Sequence, residues 1–261
     1  MPFFITQATG ENEQDRYHRV TARGTYIVRD TTMQGERVRL LLVDGIQESA
    51  THLDPARRYE PMFRYLTFFQ KIVEEYPDPQ QVLLIGGAGF AYPKLFFSSG
   101  QKGNMTVVEL DPRMIRLADR FFFLRELKEE YDLDRTGRLR IVVDEGLHFL
   151  REDDGRYDII INDAYLGNVP DEGLLSEEGI AACKTRLKPG GILVTNIITP
   201  LGGPGSMPGI LAKKRYEQFF DRVSLYTCDP SHPATMRQNC MLTGQDIPGR
   251  VCPGEGAGGW T

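Results

Sequence analysis

Short apolar runs separated by amphipathic stretches dominate the chain from residue 80 onward. Five of these runs have the length and turn-bounded form of buried parallel strands, and they lie at 82–85, 105–110, 139–143, 157–162 and 192–198. The stretches between most of them place apolar residues at helical spacing. The alternation predicts an α/β domain with a parallel sheet.

The N-terminal part has a different pattern. Short β-prone runs at 19–22, 25–29 and 38–43 predict a small antiparallel sheet, which forms a layer separate from the parallel one. The polar residues 1–16 before it are expected to fray. An apolar stripe over 56–76 predicts a long helix that begins after Asp54-Pro55.

These patterns divide the chain into three parts. We expect an N-terminal β domain over 1–55 and an α/β domain over 56–245. The Gly- and Pro-containing residues 246–261 are expected to form an irregular tail.

The stretch 81–112 carries the strongest functional signal. Its strand leads into Gly86-Gly87-Ala88-Gly89, where residues with little or no side chain let the backbone turn sharply and let a ligand come close. The helix that follows would point free N–H groups at that ligand. Glu109 ends the next strand, where a nucleotide-binding βαβ unit places the carboxylate that accepts hydrogen bonds from ribose hydroxyls. The loop therefore predicts nucleotide binding.

Tyr92 stands where a dinucleotide-binding GxGxxG loop has its third glycine. A bulky residue there fits a protein that binds an adenosyl-sulfonium compound better than one that binds a pyrophosphate. An NAD-type oxidoreductase is an alternative that this residue weakens.

Acidic residues also follow the third and fourth predicted strands. Asp144 and Glu145 come after the run at 139–143, and Asp163 comes after the run at 157–162. Ligands of parallel sheets lie beyond the carboxyl ends of the strands, where these side chains would meet the glycine loop.

Composition narrows the classes of function. The net charge of −5 and the pI near 5.5 give no support to nucleic-acid binding. No apolar run approaches the length of a membrane span and no signal peptide is evident, so we expect a cytoplasmic protein. The scattered histidines and cysteines predict no metal site, and we expect free thiols.

These pieces together resemble the spermidine synthase family of polyamine aminopropyltransferases. The resemblance covers roughly residues 20–245, and its order and spacing make it specific. The matching segments are Asp44-Gly45-Ile46-Gln47, Tyr59 with Met62, and the ranges 82–89, 108–111, 144–149 and 157–163. The turn at 187–191, LKPGG, is similar to one in class I methyltransferases. The resemblance implies a small N-terminal β domain over 1–55, followed by a class I methyltransferase-like Rossmann domain over 56–245 that is the nucleoside-binding catalytic domain.

The resemblance also implies roles for individual residues. Gln47 would reach the sulfur-nucleoside, Glu109 would bind ribose, and Glu145 would lie near the adenine amino group. Asp163 would orient the attacking amine or act as its base, and Tyr59 would line the substrate channel. Alternative interpretations remain for three of them, because Gln47 could be a turn residue, Tyr59 a helix core residue, and Glu145 a neighbour of a helix N-cap.

The chain departs from the family pattern at two acids. The family usually reads GGGDGG, so Gly89 replaces the aspartate that holds the aminopropyl ammonium, and Leu166 replaces the second aspartate of the DSSDP loop after Asp163. Losing charge-assisted contacts at both positions predicts weak binding of a polycation.

We therefore expect a transferase in which an acceptor, most simply an amine, attacks the carbon beside a sulfonium. The co-substrate is S-adenosylmethionine or its decarboxylated form, and the missing acid at Gly89 favours a methyl donor at least as much as an aminopropyl donor. Tyr165 would help to shape the pocket. A catalytically lapsed nucleoside-binding or scaffold protein is the main alternative. The family resemblance suggests a homodimer, and the partners expected are a small-molecule acceptor, with no nucleic acid and no membrane.

Overall fold

The computed structural model describes residues 9–33, 35–167 and 169–247. The strands are β1 (Thr9–Thr21), β2 (Gly24–Met33), β3 (Glu36–Val43), β4 (Ile46–His52), β5 (Gln81–Ile85), β6 (Asn104–Glu109), β7 (Leu139–Val143), β8 (Tyr157–Asn162), β9 (Tyr165–Leu166), β10 (Val169–Pro170), β11 (Leu187–Thr199), β12 (Arg222–Thr227) and β13 (Gln238–Gln245). The helices are α1 (Arg64–Glu75), α2 (Ala91–Ser98), α3 (Pro112–Phe121), α4 (Leu124–Glu130), α5 (Leu133–Thr136), α6 (Gly146–Glu152), α7 (Glu177–Arg186) and α8 (Met207–Tyr216).

The N-terminal sheet is an antiparallel meander in the order β1-β2-β3-β4. It is larger than the sequence predicts, because β4 was not expected and β1 already begins at Thr9. The prediction that residues up to 16 fray is therefore wrong for 9–16. Thr9, Gln14 and Asp15 lie opposite residues of β2, and Arg16 and Arg39 both pair at 2.6 Å with the buried carboxylate of Asp30.

The main sheet has seven strands in the order β12-β13-β11-β8-β5-β6-β7. The strands from β11 to β7 pair in parallel, and β13 is antiparallel to both β11 and β12. The chain moves outward from β5 through β6 to β7 and then returns to the other side of β5 as β8. The strand order therefore reverses between β5 and β8. The predicted α/β class with a Rossmann-like sheet is confirmed.

Both faces of this sheet are covered. Val82 and Leu84 belong to the cluster beneath α1, α2 and α4, whereas Leu83 and Ile85 belong to the cluster beneath α6, α7 and α8. Burial on both faces explains why these strands are continuously apolar. The N-terminal sheet packs on α3 through a third cluster that contains Tyr26, Val28, Leu41, Met114 and Leu117.

Helix α1 begins at Arg64, eight residues after the predicted start. Asp54 instead caps a short 3₁₀ helix, Pro55–Arg57, through its side chain. Pro61 disfavours helical backbone in the residue before it, and the chain stays irregular as far as Phe63. Tyr59 consequently lies ahead of the helix rather than on it.

The predicted domain limits stay a prediction. The proposed boundary at 55–56 falls within the 3₁₀ helix, and the predicted tail lies outside the described residues from 248 onward. Of the cysteines, Cys183, Cys228 and Cys240 are free, as predicted, and they are buried, whereas Cys252 lies outside the described residues. None of the helices in the described ranges is long and apolar enough to cross a membrane.

Candidate active site

A cleft lies beyond the carboxyl ends of β5, β6, β7 and β8, and residues of β4 form part of its wall. It contains about 1200 Å³ of space, part of which is open to solvent. Parallel α/β sheets bind ligands where the strand order reverses, which here is between β5 and β8. The cleft is therefore the candidate active site.

Glu109 fastens the glycine loop to the end of β6. Its Oε2 accepts hydrogen bonds from the backbone N–H groups of Gly87 and Ala88, both at 2.9 Å, and its Oε1 accepts one from Asp111 at 2.8 Å. A carboxylate offers about four acceptor sites, so one remains on Oε1 for a ligand hydroxyl. The residue predicted to bind ribose thus lines the cleft and also shapes the loop.

Gly86 brings the same loop against the end of β8. Its φ is +96°, and a Cβ added there would lie 2.5 Å from the carbonyl oxygen of Asp163. The N–H of Asp163 donates to the carbonyl of Ile85 at 2.9 Å. Both the backbone angle and the close approach require glycine at position 86.

The carboxylate of Asp163 is held at both oxygens. Its Oδ2 accepts a hydrogen bond from the Tyr65 hydroxyl at 3.0 Å, and its Oδ1 accepts one from Nδ2 of Asn196 at 2.9 Å. Nδ2 of Asn239 in turn donates to Oδ1 of Asn196 at 3.0 Å. The hydroxyl of Tyr165 donates to the backbone carbonyl of Asn196 at 3.0 Å. This network fixes the direction in which Asp163 faces the cleft.

Burial raises the pKa of the Asp163 carboxyl to about 7, although the hydrogen bonds from Asn196 and Tyr65 act in the opposite direction. A carboxyl group with such a pKa is poised to exchange a proton near neutral pH. The position and the pKa together fit a general base.

Asp144 and Glu145 line the cleft beyond β7. The carboxylate of Glu145 accepts hydrogen bonds from the N–H groups of Leu147 and His148, at 2.8 and 2.7 Å, so this residue is the N-cap of α6. Asp144 contacts Nδ1 of His148 at 2.9 Å, which lowers the pKa of the aspartate. The capping role of Glu145 leaves room for a further acceptor contact, and its role toward adenine stays a prediction.

Strand β4 contributes two polar side chains to the cleft, Gln47 and Glu48. Nε2 of Gln47 is buried and has no hydrogen-bond partner in the described part of the chain. A buried amide donor without a partner is costly, and a ligand acceptor would satisfy it. Gln47 therefore lines the cleft with a free amide donor, and its contact with a nucleoside stays a prediction.

Gly89 is not among the residues that line the cleft, because β4 covers it. A Cβ at this position would lie 2.3 Å from Oγ and 2.5 Å from Cβ of Ser49. The family aspartate could not occupy this position without displacing β4.

Replacing Gly89 with aspartate is expected to destabilise the protein by about 1–3 kcal/mol, since the added side chain overpacks a closed contact. Adding Ser49→Gly should restore most of that loss, because the glycine removes both atoms that collide. Thermal unfolding of the single and double variants measures the coupling between the two positions. A wild-type melting temperature for Gly89→Asp alone would show that crowding does not exclude an acid here.

Tyr59 lies away from the other predicted site residues. Its hydroxyl donates to Oε2 of Glu130 at 3.0 Å, and the guanidinium of Arg58 lies 4.7 Å from the centre of its ring. The cleft lining does not include it, and the tyrosine of this region that reaches Asp163 is Tyr65. The difference follows from the late start of α1.

The charge of the cleft has one sign. The described residues that line it include no lysine, arginine or histidine, and they include six carboxylates: Glu48, Glu109, Asp144, Glu145, Asp163 and Asp171. The expectation that two missing family acids leave a poor pocket for a cation is not supported by this lining. The sequence motifs did not reveal two of these acids, Glu48 on β4 and Asp171 after β10.

Sequence reasoning missed Tyr65, Glu48, Asn196 and Asn239. A usable signal existed for Asn196, which interrupts the apolar run of β11 and is buried. Buried polar side chains need hydrogen-bond partners, so an amide in the middle of a buried strand indicates a specific hydrogen bond to another residue.

The fold and the site define a Rossmann domain of the class I methyltransferase type that carries an additional N-terminal antiparallel sheet. Residues 66–238 match the family model described as "Spermine/spermidine synthase domain". The chain belongs to the spermine/spermidine synthase family, which confirms the resemblance predicted from the sequence.

Curated relatives are similar over part of their length. The polyamine aminopropyltransferase of Thioalkalivibrio sulfidiphilus is 28% identical over 165 residues, which cover 62% of this chain and 56% of the relative. That of Clostridium beijerinckii is 30% identical over 161 residues, covering 60% and 54%. The chain thus spans about half the length of these relatives in the matched regions.

Solved structures share the fold over 74–92% of this chain. A probable spermidine synthase from Corynebacterium glutamicum matches with a TM-score of 0.69 and 20% identity, over 90% of this chain and 80% of that one. A spermidine synthase in complex with the transition state analogue AdoDATO matches with a TM-score of 0.65 and 18% identity, over 92% and 82%. Human methyltransferase-like protein 13 in complex with SAH matches with 0.56 and 15%, over 74% and 86%.

Proposed function

We propose that this protein transfers an aminopropyl group from decarboxylated S-adenosylmethionine to a small-molecule amine. The observation that carries the proposal is the lining of the cleft, which has six carboxylates and no basic side chain within the described residues. The names of the curated relatives, polyamine aminopropyltransferases, point to the same reaction.

The charge of the cleft favours the decarboxylated donor over S-adenosylmethionine. Both compounds carry a sulfonium and an amine, but S-adenosylmethionine also carries a carboxylate in its tail. A carboxylate among acids, with no cation to receive it, is disfavoured, because like charges placed together cost several kcal/mol. Removing the carboxylate leaves a ligand whose charges are all positive.

The proposed reaction is a direct displacement. The nitrogen lone pair of the acceptor attacks the carbon that joins the aminopropyl chain to sulfur, and the bond between that carbon and sulfur breaks with its electrons going to sulfur. The products are an alkylated amine and a neutral thioether, 5′-methylthioadenosine. Sulfur leaves readily because it begins as a sulfonium, so the protein contributes mainly by positioning the two reactants.

Asp163 is the proposed base. An acceptor amine is protonated near neutral pH and has no lone pair with which to attack. A carboxylate held by Tyr65 and Asn196 can take that proton while staying in one orientation. Glu109, Gln47 and the glycine loop are proposed to hold the nucleoside, with Asp144 and Glu145 at its adenine end.

Calorimetric titration of the purified protein with both donors tests the choice of donor. We expect decarboxylated S-adenosylmethionine to bind at least about tenfold more tightly than S-adenosylmethionine, because the second compound brings a carboxylate into an acidic cleft. Incubation with the decarboxylated donor and a panel of diamines should then release 5′-methylthioadenosine, detected by mass spectrometry.

Equal or tighter binding of S-adenosylmethionine, together with methylated amine products, would instead support the methyl-donor alternative. Binding of the decarboxylated donor without product from any amine would support a lapsed, nucleoside-binding protein.

A further inference from the structure

Glu48 is a cleft residue without a structural task. It lies on β4 between Gln47 and Ser49, it is half-buried, and it lines the cleft. Within the described residues its carboxylate has no hydrogen-bond donor and no cationic partner. The other buried acids of the cleft differ in this respect, because Glu109 and Asp163 are held by donors at both oxygens.

The surroundings of Glu48 make its ionised carboxylate energetically unfavourable. Burial raises the pKa of its carboxyl to about 7, and the negative charges of Glu109 and Asp163 contribute to the same shift. Tyr65 is also close enough to sense its charge. A carboxylate that is partly desolvated, repelled by two neighbours and left without a donor is unfavourable in the free protein. A cation bound between these groups would remove that cost.

The location identifies which cation. Glu48 lines the same cleft as Glu109, proposed to hold ribose, and Asp163, proposed to take the acceptor's proton. The donor sulfur must lie between the ribose and the attacking amine, so its aminopropyl tail begins in this region. The acceptor amine loses its proton during the reaction, whereas the tail ammonium stays charged and needs a lasting counter-charge.

The adjoining residue on β4 explains why the counter-charge comes from this strand. Ser49 fills the space that a side chain at position 89 would need, so the glycine loop cannot supply an acid there. The strand that closes that position brings Glu48 to the cleft. Gln47 beside it presents a buried amide nitrogen without a partner, a second group on β4 that a bound ligand would satisfy.

We propose that Glu48 binds the terminal ammonium of the donor's aminopropyl tail and so selects a decarboxylated sulfonium donor. This inference rests on the proposed function. It makes Glu48 a specificity-determining residue supplied by the N-terminal sheet, while Asp163 remains the group that acts on the acceptor.

The test compares two ligands that share the methylthioadenosine part and differ in the aminopropyl tail and in the charge on sulfur. Decarboxylated S-adenosylmethionine carries the sulfonium and the ammonium, whereas 5′-methylthioadenosine has neither the tail nor a charge. Glu48→Gln keeps the size of the side chain and removes its charge. Glu129→Gln removes one charge from an exposed position outside the cleft and serves as the matched control.

We expect Glu48→Gln to weaken binding of the decarboxylated donor by about 10- to 100-fold, as measured by calorimetry, because a charge-assisted contact is lost. Binding of 5′-methylthioadenosine should change by less than about threefold, since one lost tail contact leaves the nucleoside contacts intact. The control variant should bind both ligands like the wild type. Retained binding of the neutral nucleoside also shows that the variant is folded.

Three results would overturn the inference while leaving the proposed function intact: unchanged donor affinity in Glu48→Gln, an equal loss for both ligands, or a raised KM for a diamine acceptor with an unchanged donor Kd. A wild-type protein that binds neither ligand would overturn the proposed function itself, and with it the role of Glu48.

Discussion

Asp163→Asn is expected to lower kcat for aminopropyl transfer by about 10²- to 10⁴-fold, the usual contribution of a positioned general base. The substituted side chain has nearly the same shape and can still contact Tyr65 or Asn196, but it cannot take a proton from the acceptor. Donor affinity should fall much less than kcat, because other residues are proposed to hold the nucleoside. A mass-spectrometric assay for 5′-methylthioadenosine measures the rate, and calorimetry measures donor binding.

The pH dependence of the wild type gives a second signature of the same residue. The pKa of Asp163 is raised to about 7, so kcat/KM should rise as the pH increases through that value and the carboxyl loses its proton. Asp163→Asn should lack this limb. An unchanged pH profile in the variant, or a full rate at neutral pH, would exclude Asp163 as the base.

Stability should change in the opposite direction to activity. The folded-state pKa of Asp163 lies above the ordinary aspartate value, so the folded protein binds more protons than the unfolded chain between about pH 4 and 7. Loss of the Asp163 proton therefore lowers the stability of the wild type as the pH rises through that window. Asp163→Asn should be at least as stable as the wild type at pH 8, and the difference should shrink toward pH 4. A melting temperature of Asp163→Asn below that of the wild type at pH 8 would instead indicate that the variant loses activity because it is misfolded.

Glu109→Gln is expected to reduce donor affinity by about 100-fold or more, because it disrupts both the loop and the proposed ribose contact. Three backbone N–H groups donate to the carboxylate, and a glutamine has a single acceptor oxygen to offer them. The NH₂ group of the new glutamine would face one of these backbone N–H groups, which cannot accept a hydrogen bond from it. Each charge-assisted hydrogen bond of this kind contributes about 1.5–3 kcal/mol.

Calorimetry at a temperature where circular dichroism shows the variant to be folded separates binding from stability. The melting temperature should also fall, since Gly87, Ala88 and Asp111 share the loss. Glu129→Gln, an exposed acid changed in the same way, controls for the reduced net charge. Donor binding within threefold of the wild type would show that Glu109 serves the loop and not the ligand.

The local parts of this site were predictable from the sequence. The glycine loop and Glu109 lie within one βαβ unit, where strand, turn and helix follow each other at fixed distances. Asp163 was found because a parallel sheet places the ends of its strands along one edge. These inferences needed no knowledge of contacts between distant segments.

The remaining parts depend on packing that local pattern does not encode. Ser49 meets Gly89 across forty positions of sequence, and β4 itself is short and polar enough to read as a connection. Asn239 reaches Asn196 because β13 pairs with β11 in one particular register. Tyr59 was predicted to line the cleft, but Tyr65 lies there instead. The reason is that α1 begins later than predicted, after Pro61.

The division of the cleft between two sheets has a consequence for how this family can diversify. In the proposed function, the Rossmann domain supplies the groups that hold the sulfonium nucleoside, namely the loop and the acids at the strand ends. The hairpin formed by β3 and β4 supplies Gln47 and Glu48, and it does so from a peripheral, antiparallel unit. Exchanging that hairpin between relatives should therefore transplant the preference for a donor tail without rebuilding the catalytic domain.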